Sequence, residues 1–436
     1  MHSGSSSAPD TTDYAEGAGR LGWGALALLA AVQFSAYVDR ALPAVTAPLF
    51  RADLALSDSE IGLLQGPAFV ALYVVGLLCA GHWARAGNPW WIALGCLAAW
   101  TCGGIAFALA PSFEWMFAGR LLLGAGQAVF IPTALMLIAG QMDPARRARG
   151  LSFFTTASAS GRSGALLLGG VALFGLAASE GLAGWRLASL AVIAPNLALA
   201  VLLVVCAVRV PPPAAPRSHQ GLGAALRAAA KRPAAFASNA IAGAGWVLVI
   251  QAGGAWTPSL LNRRFDITAG ESAMAYGLVV LVFAPIGHLS AGGLMAWSSR
   301  KRGGPAGWVA LALALSGLCA AGLPAAERLP TLALLAGLTA AAGLAAASIL
   351  IGLQSMTEPP LRPAVGAMFF AVISVIGVAG GPWLTGLISD QLQGGSANPL
   401  TQALAATAIG GCLAGVILCL IAGKLWRPAP HRGAPA

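Results

Sequence analysis

A chain of 436 residues in which 58% are hydrophobic and only 9% are charged is too apolar for an ordinary soluble domain. Its mean hydropathy is +0.77, which is typical of a protein that crosses a membrane several times. The formal net charge is +10, but the basic residues form short clusters between apolar stretches, where they set membrane topology. The composition excludes a soluble fold and argues against a nucleic-acid partner.

Enzymatic chemistry has no signature in this sequence. The seven cysteines all lie within apolar stretches and lack the paired spacing of metal ligands. We find no nucleophile elbow, no phosphate-binding loop and no pair of carboxylates within an apolar stretch. We therefore expect no enzyme activity, no cofactor and no metal site. Without ATP hydrolysis, transport would be driven by an ion gradient or would be passive.

Apolar stretches long enough to cross about 30 Å of hydrocarbon occur in two groups of six. They predict an all-α membrane protein with twelve transmembrane helices in two six-helix bundles. The predicted spans are 21–50, 60–84, 91–111, 115–140, 151–178 and 185–208, followed by 234–261, 271–297, 306–326, 330–356, 364–389 and 400–426. The predicted domains are a tail at 1–20, bundles at 21–208 and 234–426, a linker at 209–233 with a short amphipathic helix, and a tail at 427–436.

The distribution of lysine and arginine predicts the orientation of these helices. Most basic residues fall in connections on one side of the predicted membrane, including the linker. By the positive-inside rule both tails and the linker are cytoplasmic. The bias of the sequence toward Ala, Gly, Arg and Pro suggests a bacterium of high GC content, and hence its inner (cell) membrane.

An internal repeat relates the two halves. Pro144, Arg146, Ala148 and Gly150 recur as Pro360, Arg362, Ala364 and Gly366, at an offset of 216 residues. At the same offset Gly161, Gly164 and Gly170 recur as Gly377, Gly380 and Gly386. Capping boxes at Ser57 with Glu60, and at Thr268 with Glu271, precede the second helix of each half. The repeat predicts pseudo-symmetric bundles, an architecture typical of transporters.

Two adjacent charges near the middle of the first span are the strongest candidate site. Asp39 and Arg40 follow Tyr37 about a turn beyond the expected bilayer centre. A charged residue there costs about 2.5 to 3.5 kcal/mol on insertion scales, so it normally faces a bundle interior or a water-filled path. We interpret the pair as a proton or charge switch. The alternative is a mutually neutralised pair that only locks one conformation.

Further polar residues within the spans are candidates for a substrate cavity. Arg162 lies in mid-helix between small residues, and its repeat partner is Val378, so helix packing does not require it. With Arg40 and Arg120 it gives three arginines against one acid, which favours a substrate that carries a carboxylate or phosphate. The alternative for Arg162 is a bond to Asp39 or to a backbone carbonyl. The other candidates are Tyr37, Gln127, Asn239, Gln251, Trp256 and Gln354, which could equally be contacts between helices.

Several motifs of this chain occur together in one known family. They are Tyr37-Val38-Asp39-Arg40, the run from Leu56 to Leu64, Arg120 with Gly124-Ala125-Gly126, Gly184-Trp185-Arg186, Ala255-Trp256 with Pro258, the loop from Pro359 to Ala364, and Gly380-Gly381-Pro382 through Ser389-Asp390. With them the chain resembles the major facilitator superfamily, and within it the Spinster-like branch. The resemblance implies a cavity lined by helices one, four, seven and ten, alternating access, and lipid-like substrates such as lysophospholipids or sphingosine phosphate.

The chain departs from this family at two places. The loop after helix two lacks the usual acid, and only Arg85 and Asn88 remain there as candidates for a cytoplasmic gate. Gln127 stands where relatives commonly have a glutamate that is thought to take part in proton coupling. The first departure implies a weaker latch, and the second leaves Asp39 as the obvious titratable group.

The leading hypothesis is a secondary transporter of an amphiphilic or small organic anion, acting as a monomer within the lipid bilayer. Arg40 and Arg162, with Arg120, would attract the anion, and protonation of Asp39 would release an arginine to bind it. The alternative is an uncoupled facilitator or a multidrug-type exporter of neutral or cationic compounds. A membrane sensor or scaffold is a third hypothesis, from a different class.

Overall fold

The structure is a computed structural model, and it describes residues 21–83, 87–176, 183–212, 222–299 and 304–426. Twelve helices in these ranges are long and apolar enough to cross a membrane, which confirms the predicted fold class. They are α1 (Trp23–Asp53), α2 (Asp58–Gln65 and Pro67–Trp83), α3 (Pro89–Ala108), α4 (Phe113–Gln141), α5 (Pro144–Leu176), α6 (Gly184–Ile193 and Pro195–Arg209), α7 (Pro233–Phe265), α8 (Ala269–Ser299), α9 (Pro305–Gly322), α10 (Arg328–Met356), α11 (Arg362–Leu392) and α12 (Pro399–Ala422). A short helix, Leu222–Lys231, lies in the predicted linker.

Three of the spans are irregular, each for an identifiable reason. Gly66, with φ −111° and ψ −89°, interrupts α2, and Pro195, which has no amide hydrogen, begins the second part of α6. In α11 the segment Ser374–Ala379 is π-helical.

Helix α5 begins at Pro144 rather than at residue 151, because the Asp143 carboxylate accepts a hydrogen bond from the Ala145 amide at 2.9 Å and starts the helix early.

Two of the three repeated glycine pairs make equivalent contacts in the two halves, whereas Gly164 packs against Phe34 and Gly380 has no close neighbour on another helix. A Cβ atom on Gly161 would lie 2.6 Å from Tyr37 of α1, and one on Gly377 would lie 2.6 Å from Val247 of α7. In each half the fifth helix therefore packs closely against the first. The repeated pair Gly170 and Gly386 lies between the halves, because Gly170 packs against α8 and a Cβ on Gly386 would lie 2.2 Å from the Asp58 carbonyl of α2.

Both predicted capping boxes are present where the chain enters its second and eighth helices. The Glu60 carboxylate accepts a hydrogen bond from the Ser57 amide at 2.8 Å, and the Glu60 amide donates to the Ser57 hydroxyl at 3.2 Å. Thr268 and Glu271 make the same reciprocal pair at 2.9 and 3.2 Å. Both boxes satisfy amides that a helix start leaves without partners.

Apolar packing joins the two bundles at one end. One buried cluster, which includes Trp90, Trp100 and Phe130, lies in the first half, and another, which includes Val309 and Phe369, lies in the second. A further cluster combines residues of both halves. It includes Phe50, Met116, Trp185, Trp256, Leu261 and Leu400. The halves are therefore sealed together at the end that carries the α1–α2 and α7–α8 connections, which we call the closed end.

Close helix packing gives a direct prediction on α8. A Cβ on Gly287 would lie 2.0 Å from the Ala340 carbonyl of α10, whereas Gly292 has open space around it. We expect Gly287→Ala to lower thermal stability by about 1 to 3 kcal/mol through overpacking. Gly292→Ala on the same helix is the control and should melt like the native chain. Melting of the purified variants in detergent tests this, and equal melting of the two variants would contradict the packing.

Candidate functional site

A polar cavity lies between the two halves, about midway along α1, α5 and α7. Its lining combines two arginines and two glutamines with aromatic, aliphatic and glycine residues. They are Tyr37, Arg40, Ala41, Ala44, Gln65, Phe69, Arg162, Leu166, Gln251, Gly254, Ala255, Val378 and Pro382. The cavity encloses about 50 Å³, room for only a few water molecules. An organic molecule can enter only if the halves separate further.

Arg40 reaches this cavity surrounded by aromatic rings. Its Nε donates a hydrogen bond to Oε1 of Gln127 on α4 at 3.0 Å. Its guanidinium carbon lies 4.2 Å from the centre of the Phe69 ring, 5.0 Å from that of Tyr37 and 5.1 Å from that of Tyr73. Cation–π contacts and one neutral acceptor stabilise the guanidinium without cancelling its charge.

Arg162 connects the two halves across the same cavity. Its Nη2 donates to Oε1 of Gln251 at 3.1 Å, from α5 of the first half to α7 of the second. Gln65 makes a second, longer link, from its Nε2 to the Ala255 carbonyl at 3.4 Å. No carboxylate is among the described residues that line the cavity, so its two guanidinium groups carry uncompensated positive charge.

Arg120 lies behind the cavity wall. Its side chain is 1% exposed. It donates to the carbonyls of Leu64 and Arg40 at 2.9 and 3.2 Å, which ties α4 to α2 and α1. The expectation that Arg120 lines the cavity is therefore wrong for this conformation. Two backbone carbonyls satisfy its guanidinium where helices cross, and its function there is structural.

Gln127 also supports the wall. Besides accepting from Arg40 it donates from Nε2 to the Ala36 carbonyl at 2.7 Å, and it is buried. The amide thus orients Arg40 toward the cavity. A neutral amide at this position leaves the charge of Arg40 available, whereas a glutamate would pair with it.

Asp39 points away from the cavity, contrary to the expectation that it faces Arg40, Arg120 and Arg162. Its Oδ2 accepts a hydrogen bond from Nδ2 of Asn196 on α6 at 2.7 Å, and the residue is 4% exposed. Its Oδ1 is buried without a hydrogen-bond partner. Adjacent residues on a helix point about 100° apart. The structure therefore directs Arg40 to the cavity and Asp39 into the packing of α1 against α6, and the expected direct pairing of Asp39 with these arginines is wrong here.

Three further candidates lie outside the cavity. Asn239 is fully buried and donates to the Ile349 carbonyl at 3.2 Å, and Trp256 is fully buried and donates to the Pro382 carbonyl at 2.8 Å. Both are contacts between helices of the second half. Gln354 is exposed near the end of α10, away from the cavity lining.

Of the two residues predicted for the cytoplasmic gate, the structure describes only Asn88. Asn88 accepts a hydrogen bond from the Trp90 amide at 3.0 Å, so it is the N-cap of α3. Arg85, the other residue predicted for the cytoplasmic gate, lies outside the described residues.

A charge network at the closed end was not recognised from the sequence. Asp58, buried at the start of α2, accepts from Arg51 of its own half at 3.1 Å. From the second half, Arg263 binds both its carboxylate oxygens at 2.7 and 2.8 Å, and the Ser389 hydroxyl donates at 2.7 Å. The sequence signal was an acid at N1 of a helix. Only the partners from α7 and α11 show that it holds the halves together.

Asp390 strengthens this network from the end of α11. Its carboxylate oxygens accept from the backbone amides of Asp58 and Ser59 at 3.1 and 2.8 Å. A carboxylate of the second half therefore caps the N-terminus of a helix of the first half, where the helix dipole also favours negative charge.

Comparisons with known proteins agree with this fold. A family model described as Major Facilitator Superfamily matches residues 29–357. An MFS-type efflux pump of Mycolicibacterium smegmatis (strain ATCC 700084 / mc(2)155) is 30% identical over 410 residues, which cover 92% of this chain and 91% of the relative.

Solved structures show the same architecture at lower identity. A bacterial homolog of the human lysosomal transporter Spinster, in an inward-facing and unoccupied conformation, has a TM-score of 0.77 and 22% identity, covering 92% of this chain and 95% of the homolog. A D-xylose–proton symporter has a TM-score of 0.70 and 15% identity, covering 93% and 98%. At these identities the likeness shows the fold.

The different surroundings of Arg120 and Arg162 predict different effects of the same substitution. Arg120→Gln would remove the buried hydrogen bonds that tie α4 to α2 and α1, which costs about 1 to 3 kcal/mol. Arg162→Gln removes one bond at a cavity wall and should change stability much less. Thermal denaturation of both variants in detergent measures the difference. A larger loss for Arg162→Gln would contradict the assignment of Arg120 as structural.

Proposed function

The chain belongs to the Major Facilitator Superfamily, and we propose that it is a secondary transporter that moves an amphiphilic or small organic anion across the bacterial inner membrane. The described residues hold twelve helices long and apolar enough to cross a membrane, which makes it a multi-pass membrane protein.

One observation carries the substrate class. Arg40 and Arg162 both line the central cavity, and the described lining residues include no carboxylate. Two guanidinium groups in an apolar bundle are costly unless an anion or strong dipoles compensate them. Their present partners, Gln127 and Gln251, are neutral acceptors, so a carboxylate or phosphate would be a better ligand for both.

The rest of the lining favours an amphiphilic anion. Tyr37, Phe69 and Leu166 give the cavity aromatic and aliphatic walls beside its two charges. A ligand with an apolar body and one acidic group can contact both kinds of surface. This supports the lysolipid-like class implied by the Spinster-like resemblance and the organic anions favoured by the two arginines.

The division of the chain into two halves supports transport by alternating access. Residues 21–208 would rock against residues 234–426, with the linker at 209–233 and both tails on the cytoplasmic side. Asp58 and Arg263 hold the closed end, which in this orientation is the periplasmic one. The name of the 30% identical relative, an efflux pump, supports transport out of the cell.

Proton coupling through Asp39 would not act by competition between the Asp39 carboxylate and an anion for the same arginines. Asp39 and Arg40 are adjacent on α1, but Asp39 contacts Asn196 of α6 whereas Arg40 contacts the cavity. Protonation would therefore act on the contact between α1 and α6 and move Arg40 through the shared helix. A ligand or proton shifts the two conformations only by binding them differently.

The two cavity arginines are tested by substitution. A thermal-shift screen against lysolipids, sugar phosphates and aromatic acids identifies the anion to use, because a ligand of the folded state raises its melting temperature. In counterflow with this anion, we expect Arg40→Gln and Arg162→Gln each to lower transport at least about tenfold, the effect of losing about 1.4 kcal/mol of binding.

The matched control is Arg328→Gln, which removes the same charge from an exposed residue outside the cavity. It should transport like the native chain. Anion counterflow that survives both cavity substitutions would contradict the proposal.

The role of Asp39 is tested with a pH gradient. We expect the native chain in proteoliposomes to accumulate the anion in response to the gradient. Asp39→Asn, which keeps the shape and a hydrogen bond to Asn196, should still exchange the anion. Its accumulation of the anion should not respond to the pH gradient. Equal gradient dependence of the two proteins would eliminate the proton role while leaving the anion proposal intact.

A second candidate function is export of neutral or cationic compounds without coupling. Two observations favour it, the efflux pump relative and the neutral Gln127 beside Arg40. Counterflow of a neutral compound that survives both Arg40→Gln and Arg162→Gln would support this alternative against the anion proposal.

A further inference from the structure

A second cavity lies at the closed end, beyond the network that separates it from the central cavity. It encloses about 220 Å³ and opens to the surface. We call it the vestibule and define it by Arg51, Asp58, Arg263, Arg264 and Ser389. Its lining combines charged side chains with apolar surface from Leu260, Pro399 and Leu400, so it suits a phosphate or carboxylate with part of an attached organic group.

Positive charge predominates in the vestibule. Its lining holds three arginines and one carboxylate, that of Asp58. Arg264 donates to the backbone carbonyls of Leu323, Pro324 and Ala326 at 2.6, 3.0 and 2.5 Å, which position its guanidinium without neutralising it. The carboxylate of Asp390 lies close by, but the amides at the start of α2 bind it.

The guanidinium groups of Arg51 and Arg263 can both be reached by an acceptor other than Asp58. Arg51 binds Asp58 through Nε alone, at 3.1 Å, so its two terminal nitrogens are left for a ligand. Arg263 gives both terminal nitrogens to Asp58, and both arginine side chains are partly exposed. An anion that binds Arg51 therefore approaches the same guanidinium groups that Asp58 uses.

We propose that the vestibule is a second anion site, in which a phosphate or carboxylate competes with Asp58 for Arg51 and Arg263 and thereby loosens the closed end. Asp58 and Arg51 belong to the first half and Arg263 to the second. An anion that takes Arg263 from Asp58 breaks the bidentate link between the halves. Binding and opening are then coupled, because the anion binds the loosened closed end better than the intact one.

This inference goes beyond the proposed function, because none of the described residues that line the vestibule also lines the central cavity. The anion has two sources, a transported molecule on its way out or free phosphate of the external medium. The shared chemistry is an oxyanion that accepts bidentate hydrogen bonds from arginine. An organic and an inorganic phosphate distinguish the sources.

The experiment measures binding and opening in the full-length protein in nanodiscs. Butyl phosphate and inorganic phosphate are titrated at constant ionic strength. Opening is read from the distance between spin labels on Ala52→Cys of α1 and Gln391→Cys of α11, in a background where the exposed Cys79 and Cys102 are replaced by alanine. We expect butyl phosphate to bind and to increase the distance between the labels. An equal response to inorganic phosphate would identify the medium as a source.

Variants separate the vestibule from other basic surfaces. Arg51→Gln should weaken binding at least about fivefold, since it removes charge-assisted hydrogen bonds. Arg328→Gln, with the same loss of charge at an exposed residue of this end, should change binding less than about twofold. Asp58→Asn, which removes the competing charge but keeps the shape, should tighten binding at least about fivefold.

Arg162→Gln in the central cavity distinguishes this inference from the proposed function. Phosphate binding in the vestibule should persist in that variant. Binding that is lost in Arg162→Gln but kept in Arg51→Gln would belong to the central cavity, which would overturn the inference and leave the proposed function standing. Equal weakening by Arg51→Gln and Arg328→Gln, binding that is unchanged in Asp58→Asn, or binding without a change in distance would also overturn it.

Discussion

A guanidinium group inside an apolar helical bundle has to find acceptors, and the structure is arranged around this requirement. Arg120 reaches two backbone carbonyls and becomes part of the packing. Arg40 and Arg162 instead have one neutral amide each, and both face a cavity between the halves. The same residue type therefore has a structural function in one place and a candidate binding function in another. The difference depends on how completely the surrounding protein satisfies the donors.

The second constraint is the close approach of helices that glycine allows. Gly161 and Gly377 occupy equivalent positions and let the fifth helix of each half pack against the first. Gly170 and Gly386 bring the halves together at the closed end. Contacts of this kind bring helix backbones close together without large side chains. The glycines at the closed end thereby let the two halves share a third apolar cluster besides the core of each half.

Charge holds the closed end together where apolar packing reaches the surface. Asp58 binds Arg51 and Arg263, while Asp390 caps the helix that begins at Asp58. Arg51 and Arg263 are partly exposed, so water or an anion can reach their guanidinium groups, but Asp58 is buried and depends on both arginines. Removing a partner from a buried charge is expensive, so the network stabilises the closed end as long as both arginines bind Asp58. Arg120 differs, because backbone carbonyls and not a carboxylate accept its hydrogen bonds.

The sequence by itself determined the twelve helices and both capping boxes, because each depends on residues that are near one another in the chain. It also showed the repeat of the two halves, because matching residues recur at an offset of 216 positions. It also indicated that Arg40, Arg162 and Gln251 belong to a site, since polar groups within hydrophobic spans require an internal partner. Only the tertiary structure decided which way each side chain points. Asp39 and Arg40 are neighbours in the chain but face different helices, and Asp58 and Arg263, 205 positions apart, share two hydrogen bonds. Partner choice depends on the rotation of each helix about its axis, and that rotation is set by packing against neighbours that local sequence does not specify.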